Sequence, residues 1–250
     1  MSTKDRVIQA LEKSKGEYIS GEKLAGDLAV SRNAVWKAVN DLKKQGYAID
    51  SVKNRGYMLS ETSDIISSAG IELCLRDMKV KADVSKILDN LFVYDNIDST
   101  NTQAKREIVF DGFDVPHKTT IVARVQTAGK GHSGKDFESP NGGIYLSMIL
   151  TPSELIVKEP VNQVVAKMVT DVLSKKYGVK VSKKENNSLY VGKEKVCGIL
   201  TEALSDLETG VYTRFVLGIG IRADILNKIT DNVPSKNQVL AALIARFAEL

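Results

Sequence analysis

The chain has 250 residues, 43% apolar and 26% charged, with a net charge of +4. That length allows one large domain or two ordinary ones, each with a core of its own. No apolar run approaches the roughly 18 residues of a membrane span, and the first ten residues lack a signal-like apolar stretch, so a soluble, cytoplasmic protein without membrane contact is expected.

Two cysteines, Cys74 and Cys197, lack metal spacing or a second pair and read as reduced, packed thiols. His117 and His132 are too few for a histidine-based cluster, so no metal site is expected in the protein itself. The charge is uneven: residues 1–60 hold 11 Lys/Arg against 7 Asp/Glu, and residues 61–250 hold 24 of each. A basic small module joined to a neutral larger one suggests that the first meets a polyanion and the second a small molecule or a protein.

In chain order, Val7, Ile8 and Leu11 give one helix face. Ser20 to Lys23 opens a second helix with Leu24, Ala25 and Leu28 inward, and Ala29-Val30 turns the chain tightly to Ser31, a natural N-cap. A third helix runs from Arg32 to about Gln45 with Val35, Trp36, Val39 and Leu42 expected in the core, and Gly46 stops it. Tyr47 and Ile49, the turn Lys53 to Gly56, and Tyr57 to Leu59 read as a β-hairpin. Three helices and a basic hairpin describe a winged helix-turn-helix whose third helix enters the major groove. Ser31, Arg32, Asn33, Lys37 and Asn40 lie off the apolar stripe. Arg32 and Asn33 suit base edges at the helix N-terminus, while Lys37, Lys53 and Arg55 suit phosphates. A helical protein-interaction module with a solvated charged face is the alternative.

Polar Glu61 to Ser68 marks a linker, giving domains 1–62 and 63–250. Ile71 to Met78 reads as a short helix, Leu91 to Tyr94 as a strand, Ser99 to Ile108 as a helix capped by Ser99 or Thr100, and Thr120 to Val125 and Ile144 to Leu150 as strands. A long helix over Val161 to Tyr177 precedes strands at Val179 to Ser182, Leu189 to Val191, Val196 to Leu204 and Thr213 to Ile221, then a closing helix over Gln238 to Leu250. Strands outnumber helices and hairpin-length turns join many of them, so the fold class is α+β with a mixed, largely antiparallel sheet.

Between the strands at Thr120 and Ile144 lies Gln126-Thr127-Ala128-Gly129-Lys130-Gly131-His132-Ser133-Gly134-Lys135. Glycines let backbone N–H groups approach a phosphate, and lysines supply charge. A flexible basic hairpin without a ligand has the same composition. Gly129, Gly134 and Lys135 satisfy G-x-x-x-x-G-K, but Asp136 stands where a nucleoside-triphosphate P-loop needs a Ser or Thr hydroxyl on magnesium.

With the winged module, Asp98-Ser99-Thr100-Asn101, the loop just described and Lys195-Val196-Cys197-Gly198-Ile199-Leu200 in this order, nearly the whole chain resembles the bifunctional biotin protein ligases that also repress biotin operons. The resemblance implies a second domain of the biotin/lipoate ligase type. It implies formation of biotinyl-5′-adenylate from biotin and ATP with Mg2+, transfer of biotin to a lysine of a biotin carboxyl carrier protein, and a homodimer that binds operator DNA when ligand accumulates. Ser99, Thr100, Gln126, Gly129 and Lys130 match the biotin pocket. Gly131, His132, Lys135, Phe137, Lys184 and Asn187 match the adenylate side, and Lys195 matches the active-site lysine, where a solvated surface lysine is the bland alternative. His132, Lys130 and Lys135 stand where the family loop carries Arg, Phe137 where it carries Trp, and Lys184-Glu185-Asn186-Asn187-Ser188 keeps only the Lys and Asn of K-W-P-N-D. The family's G-I-N ends here at Arg222. A regulator that senses biotin or a related acid without catalysis is the second reading.

Overall fold

The computed structural model describes residues 2–111, 114–157, 159–184, 188–206 and 208–250. The described chain forms two compact units, Met1–Met78 and Lys79–Leu250.

Helices α1 (Thr3–Lys13), α2 (Gly21–Asp27), α3 (Arg32–Lys44) and α4 (Ser68–Asp77) build the first unit with a hairpin of β1 (Ile49–Val52) and β2 (Gly56–Leu59). Each of these helices starts behind a serine, Ser2, Ser20, Ser31 or Ser67, whose Oγ accepts a backbone N–H three residues on. Such a cap contributes about 1 kcal/mol, because it satisfies one of the four N–H groups left open at a helix start. Ser2 and Asp5 complete a reciprocal capping box. Val7, Ile8, Leu11, Leu24, Val35, Val39, Leu42 and Leu59 form the core.

Trp36 does not join it. The inward stripe of α3 is Val35, Ala38, Val39 and Leu42, all 5% exposed or less, whereas Trp36 is 54% exposed. One residue past Val35, Trp36 lies about 100° round the helix, beyond Val39 at the edge of the stripe, whose opposite flank is Ala38. The first unit also runs beyond the expected boundary near residue 62. Ser67 caps α4, whose Ala69 belongs to the same core and whose Glu72 accepts a 2.8 Å hydrogen bond from Gln9 Nε2.

The second unit contains α5 (Val84–Asp89), β3 (Leu91–Ile97), α6 (Thr100–Asp111), β4 (Thr120–Gln126), β5 (Ile144–Leu150), α7 (Val161–Tyr177), β6 (Val181–Lys183), β7 (Ser188–Val191), β8 (Glu194–Ser205), β9 (Tyr212–Ile221), α8 (Ala223–Ile229) and α9 (Lys236–Phe247). The seven strands order as β3-β4-β5-β9-β8-β7-β6. Among the described strands only β3 and β4 pair in parallel, across the α6 crossover, so the sheet is mixed and largely antiparallel. Central β5 is buried at every position, as a strand covered on both faces must be.

Ile121, Ile149 and Val216 pack with Ala104 of α6 on one face. Leu146, Met148 and Leu217 point the other way and are equally buried, and Met148 shares a cavity wall with Ile244 and Ala248 at the α9 end. Helices α5 and α8 were not expected from sequence: α5 buries no residue and α8 only Ala223 and Leu226, so neither carries a readable periodic face. Among the described residues no helix is long and apolar enough to cross a membrane. Neither cysteine is in a disulfide, and burial pushes the Cys197 thiol pKa up, which leaves it unreactive.

Candidate functional site

On the α6 face of the sheet lies a cavity of ≈ 820 Å³. Its polar end is built where β3 turns into α6. Thr100 donates its backbone N–H to Gln126 Oε1 at 2.7 Å and its hydroxyl to the same oxygen at 3.0 Å, while Gln126 Nε2 donates to Ser139 Oγ at 2.7 Å. Gln126 thereby caps the helix from the far strand and is held in one orientation by both ends of its amide. Behind it, the Ser147 hydroxyl contacts Thr100 Oγ1 at 2.7 Å and Asn101 Oδ1 at 2.5 Å. Asn101 Nδ2 donates to Glu202 Oε2, whose other oxygen pairs with Lys105 Nζ at 2.9 Å. Arg106 grips Asp98 with two bonds of 3.0 and 2.5 Å, which holds the Asp98 carboxyl below its ordinary range and fixes the turn ahead of Ser99.

Glycines make the floor. A Cβ on Gly218 would lie 2.2 Å from Asn101 Oδ1, and Cβ atoms on Gly220 and Gly198 would lie 2.3 and 2.9 Å from the Phe137 ring. These strand glycines therefore mark close approach. Phe137 also meets Tyr145 edge to face at 6.4 Å between ring centroids.

The glycine-rich loop closes as a hairpin. The backbones of Lys130 and Asp136 pair antiparallel, Gly131 N–H donates to Lys135 C=O at 2.7 Å, and Phe137 N–H donates to Gly129 C=O at 2.9 Å. Gly129 is sterically required, since a Cβ there would sit 2.4 Å from the Phe137 carbonyl oxygen. It shapes the loop but is not on the cavity wall, which Lys130, Gly131, His132, Ser133, Lys135 and Asp136 supply. The His132 ring nitrogen Nδ1 is 2.7 Å from Ser133 Oγ.

The opposite wall comes from β7 and β8. Lys184 Nζ lies 4.2 Å from the Tyr190 ring centroid, and Lys195, paired across the strands with Tyr190, holds Nζ 6.0 Å from the Phe137 ring. Of the described residues lining the cavity, four are lysines (130, 135, 184 and 195) and one, Asp136, is a carboxylate. Exposed lysines converging on a cleft attract anions from a distance. Arg222 is not on the wall. Its guanidinium is committed to Asp224 by bonds of 3.0 and 2.9 Å.

Of the residues singled out in the sequence, Ser99, Thr100, Gln126, Lys130, Gly131, His132, Lys135, Phe137, Lys184 and Lys195 line this one cavity, and Asn187 lies outside the described residues. Sequence reasoning missed Ser147, Glu202 and Tyr190, which distant strands deliver. It also passed over Gly218 and Gly220, although glycine inside a strand is itself a signal.

In the first unit, Ser31, Arg32, Asn33, Lys37, Lys53 and Arg55 are all exposed. Ser31 spends its oxygen on the Ala34 N–H as a cap, and Arg55 stacks 4.1 Å over the Tyr18 ring. Lys43 Nζ donates to Ser51 Oγ at 2.7 Å, tying helix to wing.

Residues 3–58 match the family model of an HTH domain, and residues 93–221 match that of the biotin/lipoate A/B protein ligase family. The chain belongs to that ligase family. It is 27% identical over 242 residues to the bifunctional ligase/repressor BirA of Bacillus spizizenii, covering 96% of this chain and 70% of that protein. Against BirA of Salmonella typhimurium it is 31% identical over 211 residues, covering 82% of this chain and 60% of the relative. Among solved structures, the biotin protein ligase from Aquifex aeolicus in complex with biotin and ATP superposes with a TM-score of 0.52 at 28% identity, over 64% of this chain and 69% of that one. The family assignment matches the resemblance seen in the sequence and the fold class read from it.

Proposed function

We propose that the chain is a biotin protein ligase and operator-binding repressor of the cytoplasm, which joins biotin to ATP, taken as its Mg2+ complex, and passes biotin to a lysine of a carboxyl carrier protein. The observation that carries this reading is the convergence on one cavity of a doubly held Gln126–Thr100 amide cap and four lysines, in a ligase-family unit joined to an HTH unit. Biotin's ureido ring needs fixed donors and acceptors within an apolar wall, and Ser99, Thr100 and Gln126 offer them above the glycine floor. Lys130 and the loop shaped by Gly129 close over it.

Adenylation presses an anionic carboxylate against an anionic α-phosphate, so fixed cations must offset the repulsion and the charge that develops in the transition state. Lys195 faces that junction, and Gly131, His132, Lys135, Phe137 and Lys184 form the nucleotide side, with Asn187 assigned there by its match to the family motif. Tyr145 backs Phe137, and burial raises its hydroxyl pKa, so it stays protonated and donates at 2.7 Å to the Pro140 carbonyl rather than exchanging protons.

Calorimetry with biotin, ATP and both together, followed by pyrophosphate release, tests the reading. Biotin should bind alone, and pyrophosphate should appear only when both are present. Asp136, a carboxylate on the phosphate side of the cavity, favours the second reading, a regulator that senses biotin or a related acid. Biotin binding without pyrophosphate release would select it, failure to bind biotin alongside clear binding of another carboxylic acid would transfer the site to that acid, and binding of neither would overturn both.

A further inference from the structure

Trp36 is the largest apolar side chain of α3, and it faces solvent at 54% exposure. Leaving an indole in water forfeits burial that a smaller or polar residue would not forfeit, and Trp is no better a helix former than Lys or Gln. Its position is therefore more informative than its identity. Arg32, Trp36, Asn40 and Lys43 recur at spacings of four, four and three, one line down the exposed face of α3. That line forms one side of a groove of ≈ 710 Å³ whose other side is the wing, Val52 to Asn54. The bond from Lys43 to Ser51 fixes the two sides together.

The groove's surroundings identify its occupant. Arg32, Lys37, Lys43, Lys44, Lys53 and Arg55 are exposed around it. Of the acids, Glu22 lines the groove from the first turn of α2, Asp50 is bonded to the Tyr18 hydroxyl and Asp41 lies 3.8 Å from Lys44. Cations on both rims of a mostly polar groove that holds an exposed indole suit a duplex, whose phosphates flank a groove of base edges. An indole has one N–H donor and no acceptor, so it cannot make the bidentate contacts by which Arg or Asn reads a base. The feature of the major groove that matches its apolar face is the C5-methyl group of thymine.

From this juxtaposition we infer that Trp36 is a specificity-determining residue that reads thymine methyl groups in the major groove, between base contacts from Arg32 and Asn33 on one side and Asn40 on the other. The inference rests on the reading of the first unit as a DNA-binding module. It makes a demand on the operator that the charge pattern does not: each half-site must carry thymine where the ring lies.

The test uses the full-length chain with biotin and ATP present. A duplex is selected from a randomised pool by the wild-type protein, and each thymine of it is then replaced singly by deoxyuridine, which removes only the methyl group. Wild-type affinity should fall about fourfold at one or two positions of each half-site, the size expected for one buried methyl. The same replacements should cost nothing in Trp36→Ala and an intermediate amount in Trp36→Phe, with thermal melting showing that both variants fold. Uracil penalties of equal size in wild type and Trp36→Ala, or none at any position, would overturn the role of Trp36 while leaving DNA binding intact. So would a Trp36→Ala protein that keeps full affinity for the duplex and loses only association with a protein partner. If the wild-type protein retains no duplex from the pool even at low salt, the DNA-binding reading falls and takes this one with it.

Discussion

Lys195 carries the sharpest expectation at the scale of single residues. It is exposed on the cavity wall 6.0 Å from the Phe137 ring, and no carboxylate is paired with it among the described residues, so its charge is available to a ligand. A cation that acts mainly on charge developing in the transition state lowers the barrier more than it strengthens ground-state binding. Lys195→Ala should therefore slow pyrophosphate release by about 10²- to 10³-fold, with a much smaller change in biotin affinity by calorimetry. Equal rates from the two proteins would remove Lys195 from the chemistry. Gly218 is the structural counterpart. A methyl group 2.2 Å from Asn101 Oδ1 must displace the Asn101–Glu202 bond of 2.7 Å. Gly218→Ala should cost about 1–3 kcal/mol of stability and weaken biotin binding, while Ser147→Ala should cost about 1 kcal/mol. Denaturant midpoints and calorimetry on the pair would check this. Lys195 and Gln126 were legible because their types and spacing match the ligase pattern. Ser147 and Glu202 were not, since only the register of β4, β5, β9 and β8 brings them together.

Elements were legible where they carried a periodic face. The stripe on α3 and the apolar run of β5 announced themselves, whereas α5, which buries nothing, had no face to show. Trp36 was misplaced because periodicity fixes a stripe's direction but not its width. The turn between α6 and β4 carries a pH device that no pattern announces. His117 Nδ1 accepts the Thr151 N–H at 2.9 Å and its Nε2 is buried without a partner, so the ring must stay neutral to keep the bond. Burial lowers its pKa, Lys118 and Arg214 lower it further, and Glu154 opposes them. With the folded pKa below the unfolded value of about 6.5, the unfolded chain binds more protons in between. The stabilisation is fully present above about pH 6.5 and is lost as pH falls through the folded pKa. Melting temperature should decline across that window, and His117→Asn, which keeps an acceptor near Thr151 but does not titrate, should flatten the decline relative to wild type. Buried Glu12 works in the opposite sense, since its raised pKa gives stability that is lost as pH rises, so the difference between variant and wild type, not either curve alone, isolates His117.

For the whole molecule, the relevant quantities are the number of DNA contacts and the linkage of ligand to assembly. The 13-residue helix α3 presents a single line of possible base readers, too few for tight specific binding by one copy. Two-fold pairing doubles the contacts and matches half-sites about one helical turn apart, or a multiple of it. If the second unit forms the pair and its cavity holds the adenylate, any ligand that binds the paired state better than the single chain drives assembly by mass action. At a concentration 100 times its dissociation constant, a ligand confined to the paired state would contribute about 2.7 kcal/mol per site. Sedimentation velocity should show a shift from monomer toward dimer when biotin and ATP are added together. The operator should sediment with two chains rather than one, and the affinity should steepen with protein concentration. Raising the salt should weaken the complex through the basic rims of the first unit while leaving the ligand-driven dimer in place, since residues 61–250 hold equal numbers of acidic and basic side chains. A chain that stays monomeric with ligand, with operator and with both would exclude the paired mechanism and leave each winged unit to bind DNA alone.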